Sequence, residues 1–533
     1  MRRPISTNIG RRRQNKTHNL PVSESSDSET FSLGKGAQLL TFCGVGDIIK
    51  GKRGGTYCPF GMGDGMQLKR RKNFTEGPIF FRMLLFSLPI MATGILQIFY
   101  SMADNIVVGQ FSGDPNALGA VGSTSSLTNL TVNLLFGMAG GAAVVIAQSF
   151  GAGDDRVVSR TVHTALGFSL VGGIFFGALG FALSRPVLML MGTRPQLLEG
   201  AVLYFRIICV GIPANSLYNM GASVLRSVGD SKTPLFILAS TGLGNVGLNF
   251  LFVLGCGMSV AGVGIATVAA QYLSACAVLF VLWRRRNLNY GFHPKRMCFD
   301  KALFLRVLRF GLPAGIQGSL FSFSNILLTG GVNSLGDHVI KAYTIANNID
   351  AITYTACNSF HQTALTFTGQ NYGARKYARI RRVIAFVLLQ VTFFGIVVAQ
   401  GELLFSRQLS ELYVAADDPN REEIILLARQ IMEVLLNTYF LCGLMDVLCG
   451  ILKGLGHSFA PMIVALCGVC GLRVLWVLFV FPLESMNSHV GLCLSYPVTW
   501  TVTGLLHLVT LIFAIRKLRR MERAGVGNVA LQN

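Results

Sequence analysis

Residues Phe80 to Gly109 read FFRMLLFSLPIMATGILQIFYSMADNIVVG. The run is long and apolar enough to cross a bilayer as a helix, which takes about 20 residues. One acid, Asp104, lies inside it. A charge at membrane depth costs at least roughly 2.5–3.5 kcal/mol on insertion scales, so an intramembrane carboxylate is read first as a functional group. Gln97, Ser101 and Asp104 fall at i, i+4 and i+7 and share one helical face. The rest of that face is small or apolar. The stretch therefore predicts a spanning helix with one wet stripe that ends in a titratable group.

Composition extends this reading to the whole chain. Its 533 residues are 51% hydrophobic and only 13% charged, with a mean hydropathy of +0.52. Soluble proteins carry about 25% charged residues, so the deficit points to a polytopic membrane protein. The net charge of +21 then needs no nucleic-acid partner, because basic loops on the cytoplasmic side are what the positive-inside rule predicts. The 12 Cys are scattered, mostly in apolar runs, and form neither a disulfide framework nor a metal-ligand pattern. Cys467 and Cys470 make a lone CxxC inside such a run and are read as packing residues.

Residues 1–78 differ from the rest of the chain and hold no spanning run. They are expected to be disordered or a misassigned N-terminal extension. Twelve spans come after them, centred in Phe80–Gly109, Ala117–Phe150, Val157–Leu183, Leu198–Arg226, Pro234–Leu254, Val260–Trp283, Leu303–Asn333, Val339–Asn371, Ile380–Leu404, Ile424–Leu452, Pro461–Phe481 and Val490–Ile515. Gly137/Gly141 and Gly173/Gly177 have the GxxxG spacing that lets helices approach closely. Alternate loops are rich in Lys and Arg, which places both termini in the cytoplasm.

The two halves repeat. Phe86-Ser87-Leu88-Pro89 recurs as Phe310-Gly311-Leu312-Pro313, Gln148-Ser149-Phe150-Gly151-Ala152 as Gln370-Asn371-Tyr372-Gly373-Ala374, and Arg226-Ser227-Val228-Gly229 as Lys453-Gly454-Leu455-Gly456. Each half has an even number of spans, so the repeats run parallel. Such repeats mark transporters, with the site between or within the lobes near mid-membrane. The expected fold class is an all-α polytopic membrane protein with twelve transmembrane helices in two pseudo-symmetric six-helix bundles. The expected boundaries are 79–286 for the first bundle, 287–301 for a basic cytoplasmic connector, 302–520 for the second bundle and 521–533 for a tail.

These motifs in this order, with SMADNIVVG closing the first helix, AQSFGAG after the second and LRSVGDSKTP after the fourth, resemble the multidrug and toxic compound extrusion (MATE) family over about Phe80 to Arg520. Asp104 sits where the DinF-like branch carries its first-helix acid. The resemblance implies two six-helix bundles around a central cavity and a secondary antiporter that exchanges H+ or Na+ for organic, often cationic, compounds. It also places the partners of Asp104 on the fifth helix, where Thr241, Asn245 and Asn249 are spaced by four and form one polar stripe. Asn245 matches the family's Asn; Asn249 stands where many DinF-like members have Asp. Burial disfavours the charged form of a carboxyl group, which suits Asp104 to carry a coupling ion. Other branches use a seventh-helix Glu and a tenth-helix Asp for cation binding, and this chain departs from that pattern.

Candidate substrate-binding residues are Gln97, Ser101, Asn129, Asn133, Asn215, Gln317, Asp350, Tyr354 and Asp446. The amides can hydrogen-bond substrate or water, and interhelical hydrogen bonding explains them equally well. Asp350 and Asp446 are candidates to draw a cationic substrate into the cavity. Asp350, Tyr354 and His361 share a face but carry no nucleophile motif or metal cluster, so enzyme chemistry is not expected. The reading is thus a multidrug efflux antiporter of the plasma membrane, of the bacterial inner-membrane type. It is expected to be monomeric, to use no cofactor or metal beyond its coupling ion, and to meet organic cations or other small amphipathic drugs and membrane lipid. The alternative is a flippase or exporter of a lipid-linked or specific metabolic substrate.

Overall fold

The computed structural model describes residues 74–111, 116–296, 299–414 and 418–523. The expectations for the N-terminal extension before Phe74 and for the tail after Arg523 lie outside the described residues. Among the described residues, twelve long helices follow one another: α1 (Ile79–Phe111), α2 (Ala117–Ala152), α3 (Asp155–Leu190), α4 (Pro195–Ser227), α5 (Lys232–Gly255), α6 (Val260–Arg284), α7 (Lys301–Asn333), α8 (Asp337–Gly373), α9 (Tyr377–Leu404), α10 (Arg421–Gly454), α11 (Phe459–Val480) and α12 (Ser495–Arg523). Short helices Ser406–Glu411 and His489–Cys493 precede α10 and α12. No β-strand occurs among the described residues.

Each expected span coincides with one of these helices. Ten are long and apolar enough to cross a membrane by composition; α7 and α8 are not among them. The reason lies in their surroundings. α7 packs along α2, and α8 packs against α1, α2, α9 and α10, so much of their surface meets protein instead of lipid and can be polar. On the outer helices, exposed side chains such as Leu243, Phe236, Phe393, Phe479 and Phe513 form the apolar surface a membrane requires.

Helices α1–α6 form lobe 1 and α7–α12 form lobe 2. The glycine pairs act as their spacing predicts. A methyl at Gly137 or Gly141 would collide with the α7 backbone at Gly315 or Gly311, and one at Gly173 or Gly177 with the α4 backbone at Pro213 or Cys209. These contacts seat α2 on α7 and α3 on α4.

Helix α1 belongs to both lobes. Ile79, Met83, Phe86 and Ile90 are packed into the lobe 2 core, whereas Val107 and Val108 lie in a lobe 1 core. Phe74 extends the first attachment by stacking on Phe367 of α8, with centroids 4.0 Å apart, and by meeting Phe86 edge-on. Pro89 marks the change of partner. Its ring removes a helical N–H, and the Thr93 hydroxyl donates to the Pro89 carbonyl at 2.7 Å. The fifth helices of the two lobes share a second irregularity: α5 ends in a π turn at Leu251–Gly255, and α11 contains π turns at Leu466–Gly471 and Trp476–Val480.

Candidate functional site

One end of the helix assembly is closed by reciprocal contacts between the repeated motifs. Gln148, at the end of α2, donates to the Gly454 carbonyl of lobe 2 at 3.0 Å. Its repeat partner Gln370, at the end of α8, donates to the Ser227 carbonyl of lobe 1 at 2.7 Å. Ser227 and Gly454 are themselves counterparts, so one bond is made twice with the lobes exchanged. Glycine is needed three residues after each glutamine: a Cβ on Gly151 would meet the Gln370 backbone, and one on Gly373 the Gln148 backbone. Gln370 also accepts from the Phe74 N–H at 2.8 Å, and Ser87 of α1 meets Thr363 of α8 at 2.8 Å.

Beyond this closed end lies a cavity of about 710 Å³ between the lobes. Its walls come from α1, α2, α4 and α8, with Tyr413 at the margin. Of the expected substrate residues, Gln97, Ser101, Asn129 and Tyr354 line it. The others turn elsewhere. Asn133 donates across the lobes to Ser322 at 3.2 Å, Asn215 accepts from Asn219 at 2.7 Å, and Gln317 is buried beside Cys449. Asp350 and Asp446 are not lining residues. Asp446 is held by His361, whose Nδ1 lies 3.0 Å from one carboxylate oxygen and 2.8 Å from the Asp446 carbonyl. Neither acid forms part of the cavity wall, although Asn358, which lines it, donates to Asp446 at 3.5 Å.

Sequence reasoning passed over Asn105, Asn348, Thr355, Asn358 and Gln362, which line the wall. A polar residue on nearly every turn of α8 was the available signal. Among the described residues, Arg226 is the one charged lining residue. It donates to Gln362 at 2.7 Å, and Gln362 donates to Asn358 at 3.0 Å. This chain of bonds forms the floor, next to the reciprocal glutamine contacts.

Asp104 stands behind the wall, inside lobe 1. Asn249 of α5 donates to one of its oxygens, and Thr267 of α6 to the other at 3.3 Å. Tyr204 of α4 lies within electrostatic reach. The α5 stripe is buried as a unit, but its members do different things. Asn249 reaches Asp104. Thr241 accepts from Ser274 of α6 at 2.7 Å and donates to its own helix. The Asn245 side-chain nitrogen is buried with no hydrogen-bond partner. Thr267 was illegible in the sequence because it is a lone hydroxyl in an apolar helix. Among the described residues, no group of three or more His, Cys, Asp or Glu is placed to hold a metal ion.

A second cluster pins lobe 1 outside the spans. Asp230, in the LRSVGDSKTP motif, receives Arg285 at 2.6 Å and the Thr233 N–H and hydroxyl at 3.1 and 2.7 Å. Burial alone would raise its carboxyl, but these bonds outweigh it and hold it below the usual range. The counterpart in lobe 2 is His457, whose imidazole is held below its ordinary value by burial and by Lys517.

Comparison with known proteins gives this architecture its class. The MatE family model matches residues 89–251 and 313–478, and the chain belongs to that family of efflux transporters. Among its relatives is the probable multidrug resistance protein YoeA of Bacillus subtilis, 26% identical over 431 residues, covering 80% of this chain and 91% of YoeA. Another is the FAD transporter of Shewanella oneidensis, 22% identical, covering 82% of this chain and 95% of the relative. The fold matches an outward-facing MATE transporter structure with a TM-score of 0.78 at 18% identity, covering 85% of this chain and 100% of that one. The chain is a multi-pass membrane transporter and not an enzyme.

Proposed function

We propose that the protein is a secondary antiporter that exports small amphipathic organic compounds in exchange for H+ or Na+, with Asp104 as the coupling carboxylate. The observation that carries this reading is the placement of Asp104. It lies in a membrane-spanning helix, one wall away from the cavity, and is held by donors from two further helices of its lobe. Ser101 and Asn105 of the same helix line the cavity, so a change at Asp104 is transmitted to the substrate wall along α1. Because α1 is shared between the lobes, loading Asp104 biases how they meet. Coupling requires only that ion and substrate prefer different arrangements of the two lobes.

The cavity wall is rich in amides and hydroxyls, and its one charge is Arg226. Recognition by hydrogen bonding suits varied amphipathic compounds and does not require them to be cations. Basic residues such as Arg156, Arg160, Arg375 and Lys376 cluster near the closed end, which favours a cytoplasmic position for that end and for both termini. Open to the outside, the cavity would release substrate as Asp104 takes up its ion.

The test is dye efflux from cells, comparing wild type with Asp104→Asn while the proton and sodium gradients are collapsed separately. Wild type should export dye only while one of the gradients stands, and Asp104→Asn should be expressed and inactive. Efflux that ignores both gradients, or an active Asp104→Asn, contradicts the reading.

A further inference from the structure

Among the described residues, the cavity between the lobes is lined by one charged side chain, and it is a cation. Arg226 stands one residue before Ser227, whose carbonyl is bonded by Gln370 of the opposite lobe. The closed end is therefore filled behind it, and its side chain lines the cavity. A charged group within a span is read first as functional, with its partner to be named.

A guanidinium has five N–H donors. The half-buried Arg226 uses Nε to donate to the Ala222 carbonyl at 3.2 Å and Nη1 to donate to Gln362 at 2.7 Å. Both acceptors are neutral, and among the described residues no carboxylate forms an ion pair with Arg226. The bonds beyond it run from Gln362 to Asn358 at 3.0 Å and from Asn358 to Asp446 at 3.5 Å. Two amide side chains thus separate that acid from the guanidinium. Asp446 is not a lining residue and has His361 3.0 Å away. Lys453, the repeat counterpart of Arg226, does not line the cavity either. The pseudo-symmetry leaves one positive charge on the wall, among the amides of Gln97, Asn129 and Asn219.

A planar guanidinium matches a carboxylate or phosphate through two parallel N–H···O bonds. The cavity of about 710 Å³ lies in the range of roughly 300–1,000 Å³ that encloses a drug-sized molecule. We propose that the cavity selects organic anions, amphipathic compounds with one carboxylate or phosphate group that pairs with Arg226 while the amides hold the rest. This gives the export reading its substrate class and rests on that reading. The competing role for Arg226 is a latch, since its bond to Gln362 joins α4 of lobe 1 to α8 of lobe 2.

The test separates the two roles. Purified full-length protein in detergent is titrated with four dansyl probes: the acid dansylglycine, the phosphate ester dansyl-O-phosphoethanolamine, the neutral dansylglycinamide and the cation dansylcadaverine. Binding is read from dansyl emission against protein-free micelles, with no ion gradient. Wild type should bind an anion on the order of tenfold or more tightly than the amide, the gain a charge-assisted bond supports, and the cation least. The tighter of the two anions identifies the oxyanion. Arg226→Gln should bind both anions no better than the amide. Gln362→Glu keeps the size of the side chain that meets the guanidinium, supplies a built-in counter-ion and should also lose the preference, so the outcome does not depend on one variant folding. A latch alone would shift all four affinities together and leave their order unchanged. Wild type with no anion preference, including no saturable binding of either anion, overturns the proposal, as does a preference that survives either substitution. Efflux that ignores both ion gradients would remove the antiport reading without altering this order of binding.

Discussion

In lobe 1 the Asp104 carboxylate accepts hydrogen bonds from two other helices, through Asn249 and Thr267, whereas in lobe 2 the buried Glu402 carboxylate has Thr353 of the neighbouring α8 beside it. The acids stand at similar heights. Asp104 lies roughly 25 residues along α1, or about 37 Å from the closed end, which matches the height of Glu402 along α9. The pseudo-symmetry therefore reproduces where charge is buried without reproducing its support. Hydrogen bonds to a charged group are each worth about 1.5–3 kcal/mol, so the two donors to Asp104 support an anion in lobe 1. The closed end shows the opposite behaviour, since Gln148 and Gln370 make the same bond in both directions. Symmetry is kept where the lobes grip each other and lost where each holds its own charge.

The strongest way to break this comparison is at the closed end. Gly151→Leu and Gly373→Leu each force a side chain into the opposite lobe's backbone. Both variants should lose transport to background while still reaching the membrane. Spin labels on the two lobes should report the short separation at this end lost in each. If only one variant fails, the two halves of the closure are not equivalent.

Support for the acids gives the next largest effect. Asn249→Leu removes a charged hydrogen bond to Asp104 and should cost about 1.5–3 kcal/mol of stability, measured by unfolding in detergent. Glu402→Gln should be neutral or stabilising, because it replaces a buried carboxylate by a neutral group of the same size that can still meet Thr353. Equal losses from both substitutions would erase the contrast between the lobes.

The reciprocal glutamines should contribute less and equally. Gln148→Ala and Gln370→Ala are each expected to weaken the closed end by about 1 kcal/mol. A clear inequality in closed-state population, read by the same spin labels, would show that one bond dominates.

The smallest effects are in pH dependence and again separate the lobes. Asp230 has a depressed folded value, so its stabilisation is complete above the ordinary Asp value of about 3.9 and is lost as pH falls through the folded value. His457 is also depressed, but as a base. The unfolded chain takes up its proton first, below about 6.5, and stability falls from there toward the folded value. His457→Asn should therefore flatten the mildly acidic part of the Tm profile, and Asp230→Asn the strongly acidic part. An unchanged profile in both would remove these groups from the account.

Most of the fold was legible because lipid imposes it. Apolar runs, basic loops and three repeated motifs led directly to two six-helix lobes, and the GxxxG pairs marked two of the tight crossings. The division of α1 between lobes was not legible, since chain order alone assigns Ile79 and Val107 to the same bundle. The site was read in part. Spacing on α1 found Gln97 and Ser101, and the polar stripe on α5 found Asn249. Helical periodicity gives the face of a residue but not which neighbour that face meets. Asp350 and Asp446 were therefore set against a cavity that they do not line. Glu402 lies two residues from the end of α9 and was not singled out in the sequence. Only the packing of α8 against α9 shows it to be buried.

The most direct test of the coupling claim uses purified protein in proteoliposomes. Substrate uptake is driven in turn by an imposed proton gradient and an imposed sodium gradient, for wild type and Asp104→Asn side by side. One gradient should drive uptake by wild type, and neither should drive uptake by Asp104→Asn, although the variant still binds substrate. Gradient-driven uptake by Asp104→Asn at the wild-type rate would contradict the assignment of coupling to lobe 1.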